Sequence, residues 1–351
     1  MRNVARETRD AIVVSFDISA RDAERFRFTQ GQFLTLKATI DGEELRRSYS
    51  ICSPAHQSTV RVAIKRVAGG RFSEWAFENL VVGASIEAAP PSGRFHVELA
   101  PHHQRSYLAF AAGSGITPIL SIIAMTLALE PHSSFTLVYG NRSTAHVMFA
   151  NELQDLKDRY LGRFALIFIM SREQQDVELF AGRIDRAKCD ALFDSWIDLS
   201  QVHTTFLCGP QDMAHAVKAA LEDHGIETSA IKTELFAAAP RGARRLTASA
   251  TTTASSTVHA SVVIDGRTRE FEIGRGTESV LDAGLRAGID LPYSCRGGVC
   301  STCRCILRSG EVDMDIHYAL EDYEIRRGFI LTCQSYPVTD TLELDLDAVS
   351  H

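Results

Sequence analysis

The sequence predicts three domains in series. An antiparallel β-barrel is expected over residues 1–100, an α/β domain on a parallel sheet over 101–238, and a small α+β domain over 258–351, with a linker at 239–257. Three observations carry this reading. The 351 residues exceed what a single core usually organises. Near residue 100 the hydrophobic pattern changes from alternation at period two to apolar strands separated by helical stretches. Four of the eight cysteines fall between Cys295 and Cys305, inside the last unit.

In the first hundred residues, Ala11 to Ile18 and Gln32 to Ala38 read as strands. Thr59 to Val67 sets Val60, Val62 and Ile64 at period two, and Pro90, Pro91 and Gly93 punctuate the region. A barrel is the natural closure for such strands. Beyond residue 100, Ser106 to Ala111 precedes a helix from Pro118, and Phe135 to Tyr139 precedes a helix through Asn151 to Tyr160. Strands at Ala165 to Met170 and Thr204 to Leu207, with a helix from Met213 to His224, continue the alternation expected of a parallel sheet covered by helices. Residues 239–257 hold Ala-Ala-Pro, three arginines and a run of Thr, Ser and Ala, the composition of a flexible linker. In the last unit, Ala260 to Ile264 and Arg269 to Ile273 flank Asp265-Gly266, a hairpin signal. A helix is expected from Ser279 to Ala287, and strands recur at Cys305 to Leu307 and Leu342 to Leu346.

Composition narrows the function classes. Hydrophobic content of 45% and charged content of 23% are those of a globular protein. No apolar run approaches the roughly 18 residues of a membrane span; Ile116 to Leu129 is interrupted by Thr117, Pro118 and Ser121 and reads as a buried helix. With no apolar signal region at Met1, Arg2 and Arg6, the expected location is cytoplasmic, with no membrane partner. From Val258 onward there are 16 acidic and 9 basic residues, so the whole net charge of −7 falls on the last unit. That surface suits a basic protein partner, and nothing points to nucleic acid.

The segment Cys295-Arg-Gly-Gly-Val-Cys300-Ser-Thr-Cys303, with Cys333 thirty residues beyond, has the C-x4-C-x2-C…C spacing of a plant-type two-iron two-sulfur (2Fe-2S) cluster. One loop wraps the cluster and a separate strand delivers the fourth thiolate. Gly297 and Gly298 let backbone amides turn toward the sulfurs. A zinc site would pair two C-x2-C units, and here only Cys333 lies downstream. Cys305, two positions past Cys303, is expected to alternate with it on a strand and so to face away from the sulfurs as a core residue. The unit resembles a plant-type ferredoxin, which implies a β-grasp fold.

Arg47-Ser-Tyr49-Ser50 resembles the R-x-Y-S motif of the ferredoxin-NADP reductase family. The resemblance implies that Arg47 holds the pyrophosphate of FAD, that Tyr49 stacks on the isoalloxazine and that Ser50 bonds near the reactive ring nitrogen. Ile64-Lys65 resembles the strand that runs along the flavin. Gly70, Phe72 and Ser73, in Gly69-Gly-Arg-Phe-Ser73, resemble the second phosphate-binding turn, where a helix N-terminus favours an anion. Gly31-Gln-Phe33 and Pro91-Ser-Gly93 match as well. Gly113-Ser-Gly115-Ile-Thr117-Pro118 resembles the family's nucleotide loop and differs from the longer dinucleotide fingerprint. Tyr139-Gly-Asn-Arg142 ends the second strand, and Cys208-Gly209-Pro210 resembles the turn beside the nicotinamide. Glu234-Leu-Phe236 would cover the flavin. Ser171-Arg172 resembles the segment that grips the 2′-phosphate of NADPH, with Arg142 as a second candidate, so NADPH is expected over NADH. Ser50, Cys208 and Glu234 are the expected catalytic pocket.

The resemblance spans the whole chain and implies electron flow from NAD(P)H through FAD and the 2Fe-2S cluster to an oxygenase component. Gly310-Glu-Val-Asp-Met314, Tyr318-Ala-Leu-Glu-Asp-Tyr323 and Cys333-Gln-Ser-Tyr-Pro337 are similar to the reductase subunits of phenylacetyl-CoA epoxidases, di-iron enzymes of phenylacetate breakdown. The alternatives are service to a Rieske or steroid hydroxylase or to a hybrid-cluster protein, and a redox sensor whose cluster gates binding.

Overall fold

The computed structural model describes residues 1–57, 59–236 and 257–350. The chain forms two compact units, Met1–Phe236 and Ala237–His351.

The first unit opens with β1 (Asn3–Thr8), β2 (Ala11–Phe16), β3 (Phe33–Ile40), β4 (Glu43–Ser50), β5 (Val60–Lys65), α1 (Arg71–Asn79) and β6 (Glu87–Ala88). Two antiparallel sheets, β1-β2-β5 and β4-β3-β6, meet where Ile51 pairs with Val62, and they close a barrel. Strand β2 is buried along its whole length because both of its faces are covered. Ile12, Val14 and Phe16 point into the barrel with Val60, Val62 and Ile64, while Ala11, Val13 and Ala63 face a second core shared with the following domain. That seam is fastened by polar bonds. Arg61 grips the Glu152 carboxylate with two bonds of 3.0 and 2.7 Å, the amide of Phe149 donates to Glu7 at 2.6 Å, and Ser121 donates to the carbonyl of Ser53 at 2.8 Å.

The α/β domain follows as β7 (Ser106–Ala112), α2 (Ile116–Leu129), β8 (Ser134–Asn141), α3 (Ala150–Arg159), β9 (Phe164–Met170), α4 (Arg186–Ser195), β10 (Val202–Cys208), α5 (Gln211–Asp223) and β11 (Ile231–Glu234). All five strands are parallel, in the order β11-β10-β7-β8-β9. The chain builds outward from β7 to β9, then returns to the other side of β7 with β10. Strand order therefore reverses between β7 and β10, where open α/β sheets bind ligands at their carboxyl ends. Helix α4 and strand β11 are elements that the hydrophobic pattern does not announce. Only Cys189 and Leu192 of α4 are fully buried, too few to make an apolar stripe, and its start is set by Asp185, whose carboxylate accepts from the Lys188 amide at 2.9 Å.

Opposite the carboxyl ends lies a hub around the fully buried Glu130. Its carboxylate accepts from Tyr107 at 3.0 Å, Ser133 at 2.7 Å and the amide of Ala100 at 3.1 Å, and it meets His103 Nδ1 at 2.7 Å. These bonds hold the carboxyl below its ordinary pKa against the opposing effect of burial.

The second unit contains β12 (Thr257–Ile264), β13 (Arg267–Gly274), α6 (Val280–Arg286), β14 (Arg304–Ser309), β15 (Val312–Met314), α7 (Asp322–Arg326), β16 (Phe329–Leu331), β17 (Ser335–Pro337) and β18 (Thr341–Asp345). The mixed sheet runs β13-β12-β18-β14-β16, with α6 against β13, and β15 pairs with β17; this is the β-grasp arrangement. At the Asp265-Gly266 turn both residues have positive φ, 51° and 68°, and both amides donate to the Asp347 carboxylate. Thr257, expected in the linker, opens β12; the rest of 239–257 lies outside the described residues.

Candidate cofactor sites

In the second unit, strand pairing gathers the cysteines. Arg304 of β14 pairs with Leu331 of β16, and the Thr332 amide donates to the Cys303 carbonyl at 3.1 Å. Cys303 and Cys333 therefore meet, thiol to thiol. Cys295 and Cys300 form the other pair, with the Cys295 amide 3.5 Å from the Cys300 sulfur and the Gly297 amide 3.3 Å from the Cys295 sulfur. Hydrogen bonding from Cys300, with help from the amides of Gly297, Val299 and Cys300, pulls the Cys295 thiol down to about 6, and Cys303 likewise lowers Cys333. Two thiol pairs, each supplied with amide donors, fit two irons with two cysteines apiece. Gly298 is required by its surroundings: its φ is +75°, and a Cβ there would lie 2.6 Å from the Ile316 carbonyl oxygen.

Cys305 stays outside this group. Its thiol is buried, donates to the carbonyls of Ile306 and Asp345 at 3.4 and 3.6 Å, and is pushed up to about 12 by burial. The reason is not strand alternation, which puts residues two apart on one face. Cys303 lies in the turn before β14, so the alternation does not include it.

On the barrel, β4 carries Arg47, exposed, and Tyr49, half-buried. Burial raises the Tyr49 hydroxyl pKa, and Arg47 is near enough to oppose that shift. Phe72 is buried 5.8 Å from the Tyr49 ring, centroid to centroid, so it braces the tyrosine from the core rather than facing a ligand. Ile64 is likewise a core side chain, which leaves only its main chain for a ligand. The Ser73 hydroxyl accepts from the Val67 amide at 3.1 Å and donates to the Gly70 carbonyl at 3.0 Å, closing the turn before α1. The side chains of Phe72, Ile64 and Ser73 therefore serve the core and the turn. Lys65 lies 3.7 Å from the Asp10 carboxylate and faces the Gly113 loop.

At the switch point the loops after β7 and β10 interlock. A Cβ on Gly115 would lie 2.0 Å from the Cys208 carbonyl oxygen, and one on Gly209 would lie 3.2 Å from the Ala112 amide. Thr117 donates to the Ser114 carbonyl at 3.0 Å, and Pro118 sits in the first turn of α2, where its missing N–H costs nothing. Pro210 caps α5. Tyr139, to which the motifs assign no role, is fully buried and donates to the Gly113 carbonyl at 2.8 Å, holding the loop from β8.

Cys208 pairs in register with Glu234 across β10 and β11, and Ser50 donates to Glu234 at 3.2 Å. Ser50, Cys208 and Glu234 thus come together from three distant segments. Enclosure raises the Glu234 carboxyl to about 8, against the Ser50 bond that lowers it, and burial raises the Cys208 thiol. Phe236, 41% exposed, lies two residues beyond Glu234. At the outer edge, Ser171, Arg172 and Arg142 are exposed at adjacent strand ends, tied by the Arg172 amide donating to the Arg142 carbonyl at 2.8 Å. Glu173 is structural here: it accepts from the Thr144 amide and hydroxyl at 2.8 and 2.6 Å.

Comparison with known proteins finds three domain families along the chain. The oxidoreductase FAD-binding domain family matches residues 2–97, the oxidoreductase NAD-binding domain family 110–219, and the 2Fe-2S iron-sulfur cluster binding domain family 262–338. One subunit of the 1,2-phenylacetyl-CoA epoxidase of Escherichia coli is 43% identical over 98% of this chain and 96% of its own. The ferredoxin reductase component of 3-ketosteroid-9-alpha-monooxygenase from Rhodococcus rhodochrous is 30% identical over 97% of this chain and 94% of its own. Among solved structures, phthalate dioxygenase reductase shares the fold with a TM-score of 0.60 at 24% identity, over 98% of this chain and 96% of its own. The chain therefore belongs to the family of FAD-, NAD- and 2Fe-2S-binding reductase components of multicomponent oxygenases, the family of that epoxidase component and of the ketosteroid monooxygenase reductase.

Proposed function

We propose that this reductase takes electrons from NADPH and delivers them to the oxygenase component of a phenylacetyl-CoA epoxidase. The end-to-end 43% identity to a component of such an enzyme carries this reading. When bound, FAD would supply hydride acceptance and the cluster one-electron transfer, while the protein supplies position and electrostatics. Arg47 holds the flavin pyrophosphate, Tyr49 packs on the flavin with Phe72 behind it, and the loops at Gly113–Pro118 and Cys208–Pro210 seat the nucleotide. Cys295, Cys300, Cys303 and Cys333 ligate the irons. The reading is tested by mixing the holoenzyme with purified epoxidase oxygenase subunits, phenylacetyl-CoA and NADPH. Epoxide formation is expected. Its absence, together with NADPH-dependent turnover of a steroid oxygenase, would reassign the acceptor.

Ser50 and Glu234 hold a proton in the pocket. With its carboxyl raised to about 8, Glu234 is neutral at pH 7 and becomes an anion above pH 8. An anion there opposes the negative charge that a hydride brings. NADPH-driven flavin reduction should therefore fall above about pH 8 in the wild type and stay level in Glu234→Gln. Identical pH profiles would remove Glu234 from this role.

Nucleotide choice is assigned to Ser171, Arg172 and Arg142. A guanidinium at a strand end can grip a phosphate by two parallel bonds. A charged hydrogen bond is worth roughly 1.5–3 kcal/mol, so Arg172→Ala should lower kcat/KM for NADPH by about 10- to 100-fold. The NADH value should change little, because NADH has no 2′-phosphate. Equal losses with both nucleotides would show that Arg172 acts on their shared part.

A further inference from the structure

We infer that Gln334 is a positioning residue for the cluster. Its side-chain amide holds the Arg296–Gly297 peptide so that the Gly297 N–H points at the Cys295 sulfur, and it thereby raises the reduction potential of the bound cluster. The inference rests on the reading that Cys295, Cys300, Cys303 and Cys333 ligate the irons, and it adds a residue that sets how readily they accept an electron.

Gln334 follows Cys333 in the stretch between β16 and β17 and is buried. Its main chain is fixed at both ends: the amide donates to the Leu331 carbonyl at 2.9 Å, and the carbonyl accepts from the Asp315 amide at 3.0 Å. From that fixed backbone the side chain reaches across the cysteine group. Its Nε2 donates to the Arg296 carbonyl at 2.9 Å and to the Cys333 carbonyl at 3.1 Å. The first of these bonds ties the segment that carries the fourth thiol to the loop that carries Cys295 and Cys300.

The Arg296 carbonyl belongs to the same peptide as the Gly297 N–H. In a trans peptide these two groups point in opposite directions, and no cis peptide occurs among the described residues. Holding the oxygen therefore aims the hydrogen, and the Gly297 nitrogen lies 3.3 Å from the Cys295 sulfur. The loop needs such a hold. Arg296 has a φ of +53°, a backbone region that residues with side chains rarely adopt. Its guanidinium is restrained by the Tyr293 ring at 4.5 Å and the Asp282 carboxylate at 3.6 Å, and Gln334 restrains its carbonyl.

A donor aimed at a ligand sulfur favours whichever form of the cluster carries more negative charge. Reduction adds one electron, so such donors raise the potential. The Gln334 amide also acts on Cys333 itself. That thiol is held below its ordinary pKa first by Cys303, with the Gly298 amide and the Gln334 side chain adding to the effect against burial. The rival assignment is that Gln334 only fills space between β16 and β17.

The test uses the full-length holoenzyme with two variants. Gln334→Met keeps the volume and loses the donors. Gln334→Asn keeps the amide but withdraws it by one carbon–carbon bond from the Arg296 carbonyl. In both, the 2Fe-2S visible spectrum should be present, and the partition of electrons between cluster and a redox dye should shift about tenfold toward the dye, a fall of about 59 mV for a one-electron couple. Iron should pass to a chelator about tenfold faster or more, while NADPH-driven flavin reduction stays level. An unchanged potential in Gln334→Met would reduce the residue to space filling, and a wild-type potential in Gln334→Asn would show that reach to the Arg296 carbonyl does not matter; either result overturns the inference. If Gln334→Met assembles no cluster, thermal unfolding of its apo form decides. A midpoint equal to that of the wild-type apo form supports a role confined to the cluster site, and a lowered midpoint makes Gln334 a residue of the fold and overturns the inference. A wild type without the 2Fe-2S spectrum, or a Cys333→Ser variant that keeps it, would fault the ligand reading itself and take the inference with it.

Discussion

Serine at any one of Cys295, Cys300, Cys303 or Cys333 will strip or badly damage the cluster, while FAD continues to be reduced by NADPH. The thiols come in two pairs, each made by the fold. Cys303 meets Cys333 because β14 and β16 pair, and Cys295 meets Cys300 across a loop whose amides already point at sulfur. Each iron thus depends on both members of its pair. Alterations one shell out from a metal typically cost about 10- to 100-fold in affinity or activity; loss of a ligand itself should exceed about 100-fold in acceptor-coupled turnover. Flavin reduction survives because the flavin and nucleotide residues belong to Met1–Phe236, a compact unit with its own cores. Cys305→Ser is the control. Its thiol bonds only to carbonyls on the sheet, so iron content and visible spectrum should persist. Iron retained by Cys303→Ser but lost from Cys305→Ser would overturn the ligand assignment.

The cluster is legible in the sequence because ligand spacing within one loop is a local property, and Cys333 is the one cysteine of the sequence downstream of Cys305. Strands and helices with strong periods are legible for the same reason: the apolar run Ile116–Leu129 reads as a buried helix, and those are the observed limits of α2. Weak patterns fail. Strand β11 is four residues long, and α4 buries only two side chains fully. A motif also does not separate a ligand contact from a residue that supports one. Phe72 and Ser73 stand in the right string, yet one packs behind Tyr49 and the other closes a turn. The Ser50–Glu234 bond joins residues 184 positions apart, and no local pattern encodes such a contact; the resemblance places both in one pocket, and the fold supplies the bond between them. Glu130 is silent in the sequence because a glutamate after a helix looks like surface until the four groups around it are seen.

Gly115→Ala should cripple nucleotide use in the reductase unit while leaving the unit folded. The backbone φ at this position is −60°, so alanine meets no conformational penalty there. The obstacle is space. The added Cβ would lie 2.0 Å from the Cys208 carbonyl oxygen, 2.5 Å from its carbonyl carbon and 3.1 Å from the Gly209 amide, and all three are backbone atoms that no rotamer change can move. Relief requires the loop after β7 and the turn after β10 to part by about an ångström. Overpacking of this kind usually costs about 1–3 kcal/mol, less than the roughly 5–15 kcal/mol that holds a domain folded, so the variant should still fold and bind FAD. Function is less tolerant. The two loops are the walls of the switch-point crevice, and a misplacement of about 1 Å at a reacting centre can cost about 100-fold. NADPH-driven flavin reduction should therefore fall about 100-fold, while dithionite, which needs no nucleotide site, should reduce flavin and cluster at the wild-type rate. Gly162→Ala is the matched control, since a Cβ there meets nothing within 4 Å. A Gly115→Ala enzyme within about threefold of the wild type in NADPH-driven flavin reduction would mean that the interlocked loops do not seat the nucleotide, and the crevice between β7 and β10 would lose its assigned role.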